Sequence, residues 1–399
     1  MEAPMAVRMS GPLTTYLPGF RAELAGQGYQ PGSARTQLEL MAQVSRWLGV
    51  EGLTAEDLDA ERVQAFLRAR SSAGYRQHLS SRALVPLTSY LTSLGVLGPS
   101  AAPSTREDLV MGDYRRHLIA DRGLVPTTVA FYVKVARRLL AEWGDPDDAR
   151  VGPLSARQVS AFVVRESGQL SVACAKTLVT AVRSWLRFLR AEGYIAEDMA
   201  GAVPGVAGWR GGWIPRGASE ADVAALFDNV DPATTVGLRD RAVLVLLHRL
   251  ALRVGEVARL VLDDIDWRDG EIIVRGKGNR QDRLPLPVDV GDALVAYLRG
   301  GRAEVSSRAL FLRAHAPITG LTPSGVSVIV RRAAQRAGVR AAAHQLRHTT
   351  ATAMLRAGGS LVEVGQVLRH TDALTTLMYA KVDYRALVTL AKPWPGSAA

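Results

Sequence analysis

The sequence has almost no cysteine and no long hydrophobic run. Cys174 is the only cysteine among 399 residues, which excludes an intrachain disulfide and a multi-cysteine zinc site. The longest aliphatic run, from Ala242 to Leu247, is far shorter than the roughly 20 residues needed to cross a bilayer. Residues 1–16 lack the apolar segment of a secretory signal. We therefore expect a cytoplasmic protein without a membrane partner.

Lysine is also scarce, although the chain is strongly basic. The net charge is +11, and only five of the 49 basic residues are lysines. Residues 301–350 contain eight basic residues and one acidic residue, so the positive charge is concentrated late in the chain. A field of this kind indicates a polyanionic partner.

The first half of the chain contains an internal repeat. Its four matched pairs, which lie 95 to 98 residues apart, are Pro31 and Pro126, Trp47 and Trp143, Phe66 and Phe162, and Gly95 and Gly193. Apolar spacing in each copy predicts about four helices. We expect an N-terminal helical domain over residues 1–104, a possible duplicate of a second helical domain over residues 105–210.

A glycine- and proline-rich stretch, Gly201 to Gly217, is typical of a linker and precedes a third domain over residues 216–399. Ser219 is placed to cap a helix, and the apolar spacing from Val236 to Arg259 predicts one long helix. The pair Asp269-Gly270 and the strand-like residues that follow predict a β-hairpin, with Lys277 in its loop. The expected fold is mainly α, with a small β-sheet or hairpin in the last domain.

A predicted helix in the last domain carries three polar side chains on one face. They are His344, Arg347 and His348, and they share a face because residues three and four apart are neighbours on a helix. A guanidinium between imidazoles suits a phosphate group. A solvated helix face is the simpler interpretation of each residue alone. A metal site at the two histidines is a weaker interpretation, because the sequence there lacks the glutamate of the zinc-protease pattern and a clear third ligand.

Other polar residues are ambiguous one at a time. Arg253 follows an apolar helix and has Glu256 three residues later, so either its head group reaches solvent or the carboxylate holds it as an ion pair. Lys277 alone fits any hairpin tip, and Tyr379 alone fits a core aromatic. His370 alone fits a cation at the C-terminus of a helix.

The order and spacing of these residues resemble those of the tyrosine recombinase (phage integrase) family over about residues 216–390. The resemblance implies six catalytic residues, namely Arg253, Lys277, His344, Arg347, His370 and Tyr379. The arginines would clamp the scissile phosphate, and the lysine would protonate the departing 5′ oxygen. Tyr379 would attack phosphorus, form a 3′-phosphotyrosyl link and pass its proton to His344. His370 would bond a phosphate oxygen, and Glu256 would support Arg253.

Three departures from the family pattern stand near these residues. The family often has glycine where this chain has Ala251, and it commonly has glycine at the position of Arg369. A Thr-His pair often follows the tyrosine, where this chain has Ala380-Lys381. Tyr384 is a rival nucleophile, but it lies fourteen rather than nine residues after His370.

The resemblance implies a site-specific recombinase that cuts and rejoins double-stranded DNA for integration, excision or transposition, without a cofactor or metal. It implies a homo-oligomer on DNA, a tetramer in the synapse, with other recombinases or accessory proteins as further partners. By the same resemblance, the helical domain over residues 105–210 would be a core-binding domain that contacts DNA, for which we expect Lys134, Lys176 and Arg183. Two alternatives are a type IB topoisomerase, which relaxes DNA by the same chemistry, and a non-catalytic DNA-binding protein of the same fold.

Overall fold

The structure is a computed structural model, described over residues 7–98, 105–143, 154–207, 217–276, 280–369, 376 and 379. Its contacts divide the chain into two compact units. One unit is Gly95–Gly212, and the other joins Met1–Leu94 to Trp213–Ala399. No helix in the described ranges is long and apolar enough to span a membrane.

Each copy of the sequence repeat contains four helices in the same order. The first copy has α1 (Leu17–Gly26), α2 (Pro31–Val50), α3 (Ala60–Ser72) and α4 (Val85–Ser93). The second has α5 (Arg106–Ala120), α6 (Pro126–Trp143), α7 (Ala156–Ser167) and α8 (Val172–Ala191). Pro31 and Pro126 both begin a helix, where a missing backbone N–H costs nothing. Gly95 and Gly193 both have positive φ just after the last helix of their copy.

The unit Gly95–Gly212 has its own hydrophobic core around α8. Trp185 is fully buried there and contacts the ring of Tyr114 with a centroid distance of 4.7 Å. The Tyr114 hydroxyl donates a hydrogen bond to the Ser184 hydroxyl, which satisfies the one polar atom of this buried ring. Aromatic packing on an amphipathic helix therefore holds this bundle together.

The later part of the other unit is a helical domain with a small sheet. Its helices are α9 (Glu220–Asp228), α10 (Thr235–Arg249), α11 (Val254–Arg259), α12 (Val288–Gly300), α13 (Pro323–Ala337), α14 (Ala343–Arg356) and α15 (Leu361–Val367). Its strands are β1 (Ile265–Asp266), β2 (Glu271–Arg275) and β3 (Gln281–Pro285), antiparallel in the order β1-β2-β3. The mainly α fold with a small sheet is confirmed.

The local predictions near the start of this domain can be checked directly. Ser219 caps α9 as expected, because its hydroxyl accepts the backbone N–H of Asp222 at 3.0 Å. The hairpin turn is confirmed too, with Gly270 at φ +64° between β1 and β2. The single long helix predicted from Val236 to Arg259 is wrong. The chain leaves the helix after Arg249 and passes through Ala251 at φ +50°, a left-handed conformation that no α-helix continues.

This break lies at the centre of the domain core. Helix α10 packs against α12 and α14, and its residues Leu244, Leu246 and Leu247 are fully buried. Leu250, Ala251 and Leu252 remain buried beyond the end of the helix, which explains why the apolar pattern continued across the break. The break turns Arg253 toward the polar site described below.

The first helical copy also touches this domain. The backbone N–H of Ile318, in the segment before α13, donates a hydrogen bond to the carbonyl of Gln27 at 2.9 Å. Gly28, with φ +76°, lies so close to Ile318 that a Cβ atom would approach its side chain to 2.6 Å. Residues at the α1–α2 turn therefore pack on a segment nearly 300 residues later in the sequence.

Candidate active site

The site is built on the break between α10 and α11, on α14, and on the chain that follows α15. Arg253 precedes the first residue of α11 with an extended backbone, and Glu256 lies in the first turn of that helix. The Glu256 carboxylate accepts the backbone N–H of Arg253 at 2.8 Å and its Nη1 at 2.6 Å. One acidic side chain thus caps the helix and orients the arginine.

Glu256 is only 1% exposed and has a second cationic partner. Its Oε2 lies 2.9 Å from Nη2 of Arg369, whose side chain is 5% exposed. Burial alone would raise the pKa of Glu256, but the charge of Arg369 and the hydrogen bonds and charge of Arg253 hold it below its usual value. Glu256 is therefore a carboxylate at neutral pH, shared between two arginines.

Arg347 lies on α14 and is buried. Its Nη1 donates to the carbonyl of Ala251 and its Nη2 to the carbonyl of Leu368. Burial, followed by the charges of Arg253 and Arg369, lowers the pKa of Arg347 to about 10. The guanidinium remains charged at neutral pH, so the site combines two buried cations with the half-exposed Arg253.

Two residues with left-handed backbones present carbonyls to these arginines. Ala251 has φ +50° and Arg369 has φ +54°. The carbonyl of Ala251 accepts from Arg347, and that of Arg369 lies 3.5 Å from Nη2 of Arg253. These are the two positions at which the family pattern has glycine, the residue that adopts positive φ without strain.

Tyr379 places its hydroxyl against α14. The Tyr379 oxygen lies 2.5 Å from Nδ1 of His348, within hydrogen-bond distance. Burial, together with the charges of His344 and Arg347, lowers the pKa of His348 to about 4, so its imidazole is neutral at neutral pH. Burial raises the pKa of the Tyr379 phenol, while the charges of Arg347 and Arg253 oppose that rise. A neutral imidazole beside a phenol under a positive field is a proton-accepting arrangement.

His344 occupies a different position on the same helix. It is exposed, and its ring centroid lies 5.9 Å from that of His348. Together with Arg253, Arg347 and Arg331 it lines a cavity of about 530 Å³. The residue expected to take the tyrosine proton therefore faces the cavity, while His348 contacts the hydroxyl. The sequence placed His348 on the same face, but the family resemblance assigned it no catalytic role.

Tyr379 itself is buried. It is 1% exposed and packs with Ala251, Leu355, Val364 and Leu368 in an apolar cluster. It is not among the residues that line the cavity in the described part of the chain.

Several predicted residues cannot be placed. Lys277 and His370 lie outside the described residues, as do Ala380, Lys381 and Tyr384. The strands β2 and β3 that flank the Lys277 loop are described, and the Gly276 N–H donates to the Arg280 carbonyl across its base at 2.8 Å.

The three expected DNA contacts belong to the other unit. Lys134 on α6 and Lys176 on α8 are exposed. Arg183 on α8 is half-buried, and its Nη2 donates to the carbonyl of Val203 at 2.9 Å. Among the residues that the structure describes, no three His, Cys, Asp or Glu side chains form a metal-binding group.

Known proteins resemble this chain in sequence over most of its length. Residues 218–386 match the model of the phage integrase family. The chain is 41% identical over 398 residues to a protein named as an integrase/recombinase, y4rA of Sinorhizobium fredii, and the match covers 97% of this chain and 96% of that protein. It is 34% identical over 305 residues to the tyrosine recombinase XerD of Mycobacterium tuberculosis, covering 70% and 94%.

Two solved structures show the same fold. The XerH site-specific recombinase, bound to a palindromic difH substrate in a post-cleavage complex, matches with a TM-score of 0.55 and 18% identity, covering 74% of this chain and 98% of that one. A lambda integrase (75–356) dimer bound to a COC′ core site matches with a TM-score of 0.52 and 17% identity, covering 68% and 94%. The chain belongs to the phage integrase family of tyrosine recombinases, which are enzymes that break and rejoin DNA.

Proposed function

We propose that this protein is a site-specific recombinase that cuts DNA with Tyr379 and rejoins it for integration, excision or transposition. The observation that carries the proposal is the contact between the Tyr379 hydroxyl and the neutral His348, beside the buried Arg347 and the half-exposed Arg253. Phosphoryl transfer depends on neutralised oxygens and a positioned nucleophile, and these residues supply both.

The chemical step follows from these groups. The Tyr379 oxygen forms a bond to phosphorus while the bond from phosphorus to the 5′ oxygen breaks. The phenol proton passes to His348, whereas His344 faces the cavity that would hold the phosphate. Lys277 would protonate the 5′ oxygen and His370 would bond a phosphate oxygen, as the family pattern implies. The 3′-phosphotyrosyl link conserves bond energy, so the reverse attack by a 5′ hydroxyl rejoins the strand.

The partners follow from the same activity. The XerH and lambda integrase structures are named as complexes with DNA, and a further lambda integrase structure is named as a tetramer bound to a Holliday junction. We propose double-stranded DNA and further copies of this chain as the partners here. The proposal includes a cytoplasmic location, where the DNA substrate would lie.

The direct test is a covalent trap. DNA fragments that flank the gene, nicked so that the cut strand cannot rejoin, are incubated with the protein, and protein-linked DNA is detected on a denaturing gel. The wild type should form the adduct, and Tyr379→Phe should bind DNA but form none. Tyr384→Phe should retain the adduct. An adduct at the wild-type level in Tyr379→Phe contradicts the proposal.

The alternatives separate in the same system. Exchange of strands between two duplexes distinguishes a recombinase from an enzyme that only relaxes supercoils, and a non-catalytic DNA-binding protein forms no adduct. The DNA contacts are tested by replacing Lys134, Lys176 and Arg183 together with alanine. Weaker binding and a flatter dependence on salt are expected if they contact phosphates. An unchanged affinity and slope would remove these residues from the interface.

A further inference from the structure

Arg369 combines a strained backbone with a buried charge. Its φ of +54° is a conformation that glycine adopts freely and that a residue with a Cβ atom adopts at a cost. Its side chain is 5% exposed, although a buried guanidinium also costs free energy unless it is paired. A strained backbone and a buried charge occur together at a position where glycine would avoid both, which indicates that the side chain serves a purpose there.

The contacts of the guanidinium identify that purpose. Nη2 lies 2.9 Å from Oε2 of Glu256, and Nη1 donates to the carbonyl of Val367 at 2.9 Å. Its buried Nε has no hydrogen-bond partner among the described residues. Arg369 therefore donates to a carbonyl of its own segment through Nη1 and binds the carboxylate of Glu256 through Nη2.

Glu256 divides its two oxygens between the arginines. Oε1 accepts only from Nη1 of Arg253 among the described contacts, whereas Oε2 accepts from the Arg253 backbone and from Arg369. With Arg369 attached, the carboxylate cannot rotate without breaking an ion pair. Because Glu256 also binds Arg253, the same restraint limits the movement of the Arg253 side chain, which lines the cavity.

The charge of the site also depends on Arg369. The cluster of Arg253, Arg347, Arg369 and Glu256 contains three cations and one anion, a net charge of two. With glycine at position 369 the net charge would be one. This charge by itself would act on an anion in the cavity whether or not Glu256 is present, so the test below compares the Arg369 variants with and without Glu256.

We propose that Arg369 is a positioning residue of the phosphate clamp, which anchors Glu256 so that Arg253 is held toward the bound phosphate. This inference rests on the proposed function, because the phosphate is the scissile group of DNA. Arg369 acts through Glu256 and does not itself touch the reacting atoms.

Two substitutions separate the side chain from the backbone strain. Arg369→Gly removes the guanidinium and relaxes the left-handed backbone, whereas Arg369→Met removes the charge and keeps the strain. Both are combined with Glu256→Gln, and the exposed Arg299→Met on α12 serves as the matched control for loss of one charge. Circular dichroism and thermal melting establish that each variant is folded.

The first measurement is the single-turnover rate of adduct formation on nicked DNA. Both Arg369 variants should lower the rate about 10- to 100-fold, the usual effect of losing a hydrogen bond between charged groups. In the Glu256→Gln background the same substitutions should lower it less than about threefold, because the anchored group is already gone. If Arg369 only stabilised the fold, its substitution should lower the rate by the same factor with and without the Glu256→Gln change, so that the two effects multiply. A wild-type rate in Arg369→Gly, or multiplying effects, overturns the proposal.

The second measurement needs no cleavage. Inorganic phosphate should bind the full chain more weakly in both Arg369 variants than in Arg299→Met, as read from the rise in melting temperature with phosphate concentration. If the wild type forms no adduct but this difference depends on Glu256, the proposed function fails and the anchoring role stands. If the wild type forms the adduct while phosphate binding and rate are independent of Arg369, the anchoring role fails and the proposed function stands.

Discussion

The contact between His348 and Tyr379 leads to a prediction that distinguishes two histidines on one helix. His348→Asn should abolish the proton acceptor while keeping a hydrogen-bonding oxygen near the position of Nδ1. The phenol should therefore stay in place, and folding and DNA affinity should change little. Adduct formation should fall, because the amide of asparagine cannot take the proton that Tyr379 must lose.

The size of the effect follows from the electrostatics of the site. With a pKa of about 4, His348 is protonated in only about one molecule in a thousand at pH 7, so nearly all of it is available as a base. The pKa of this base is far below that of the phenol, which burial raises, so proton transfer from Tyr379 to His348 is unfavourable. We therefore expect the lower end of the usual contribution of a general base, about 100-fold in rate or about 3 kcal/mol.

The assay is the single-turnover rate of adduct formation on nicked DNA between pH 3.5 and 8. A base must be neutral to act, and the pKa of His348 is lowered, so the rate that depends on it should fall only as the pH drops toward about 4. This acidic limb should disappear in His348→Asn. His344→Asn should weaken the rate less, because His344 faces the cavity. A 100-fold loss in His344→Asn, with His348→Asn within about threefold of the wild type, would refute the assignment.

Three further predictions concern stability and can be checked by urea denaturation and thermal melting. Glu256→Gln should lower the free energy of unfolding by about 3–5 kcal/mol, because two arginines would face a neutral amide. The loss should be present at neutral pH and shrink as the pH falls through the lowered pKa of Glu256. The exposed Glu304→Gln should change little. Ala251→Val should cost more than about 2 kcal/mol, since a β-branched residue fits poorly at φ +50°, while Ala353→Val on the exposed face of α14 should cost less than about 1 kcal/mol. Arg183→Ala should destabilise its helical unit by about 1 kcal/mol through loss of the Val203 bond, and unchanged melting would contradict that account.

Local patterns in the sequence predicted local structure well. The His344 to His348 spacing predicted a shared helix face, and α14 provides it. Asp269-Gly270 predicted a hairpin because a turn with positive φ is a property of two or three adjacent residues. Ser219 likewise predicted a cap that depends on a neighbour three residues away. In each case the interacting groups are close in the chain, so their spacing carries the information.

The helix break after Arg249 was missed for the opposite reason. Leu250, Ala251 and Leu252 are apolar and buried, so they continue the helical pattern although the backbone has left the helix. The carbonyl of the left-handed Ala251 accepts a hydrogen bond from Arg347, almost 100 residues later in the chain. A contact of that range leaves no periodic signal.

The sequence alone predicted which groups belong to the candidate site: two arginines, Glu256 and a late tyrosine at the spacing of a known family. The tertiary structure decided which groups meet, because hydrogen bonds between distant segments depend on how helices pack. It placed His348 rather than His344 against Tyr379, and it gave Glu256 a second cation in Arg369. The α1–α2 turn lies on a segment nearly 300 residues later for the same reason, since burial of apolar surface between elements is not encoded in the spacing within either one.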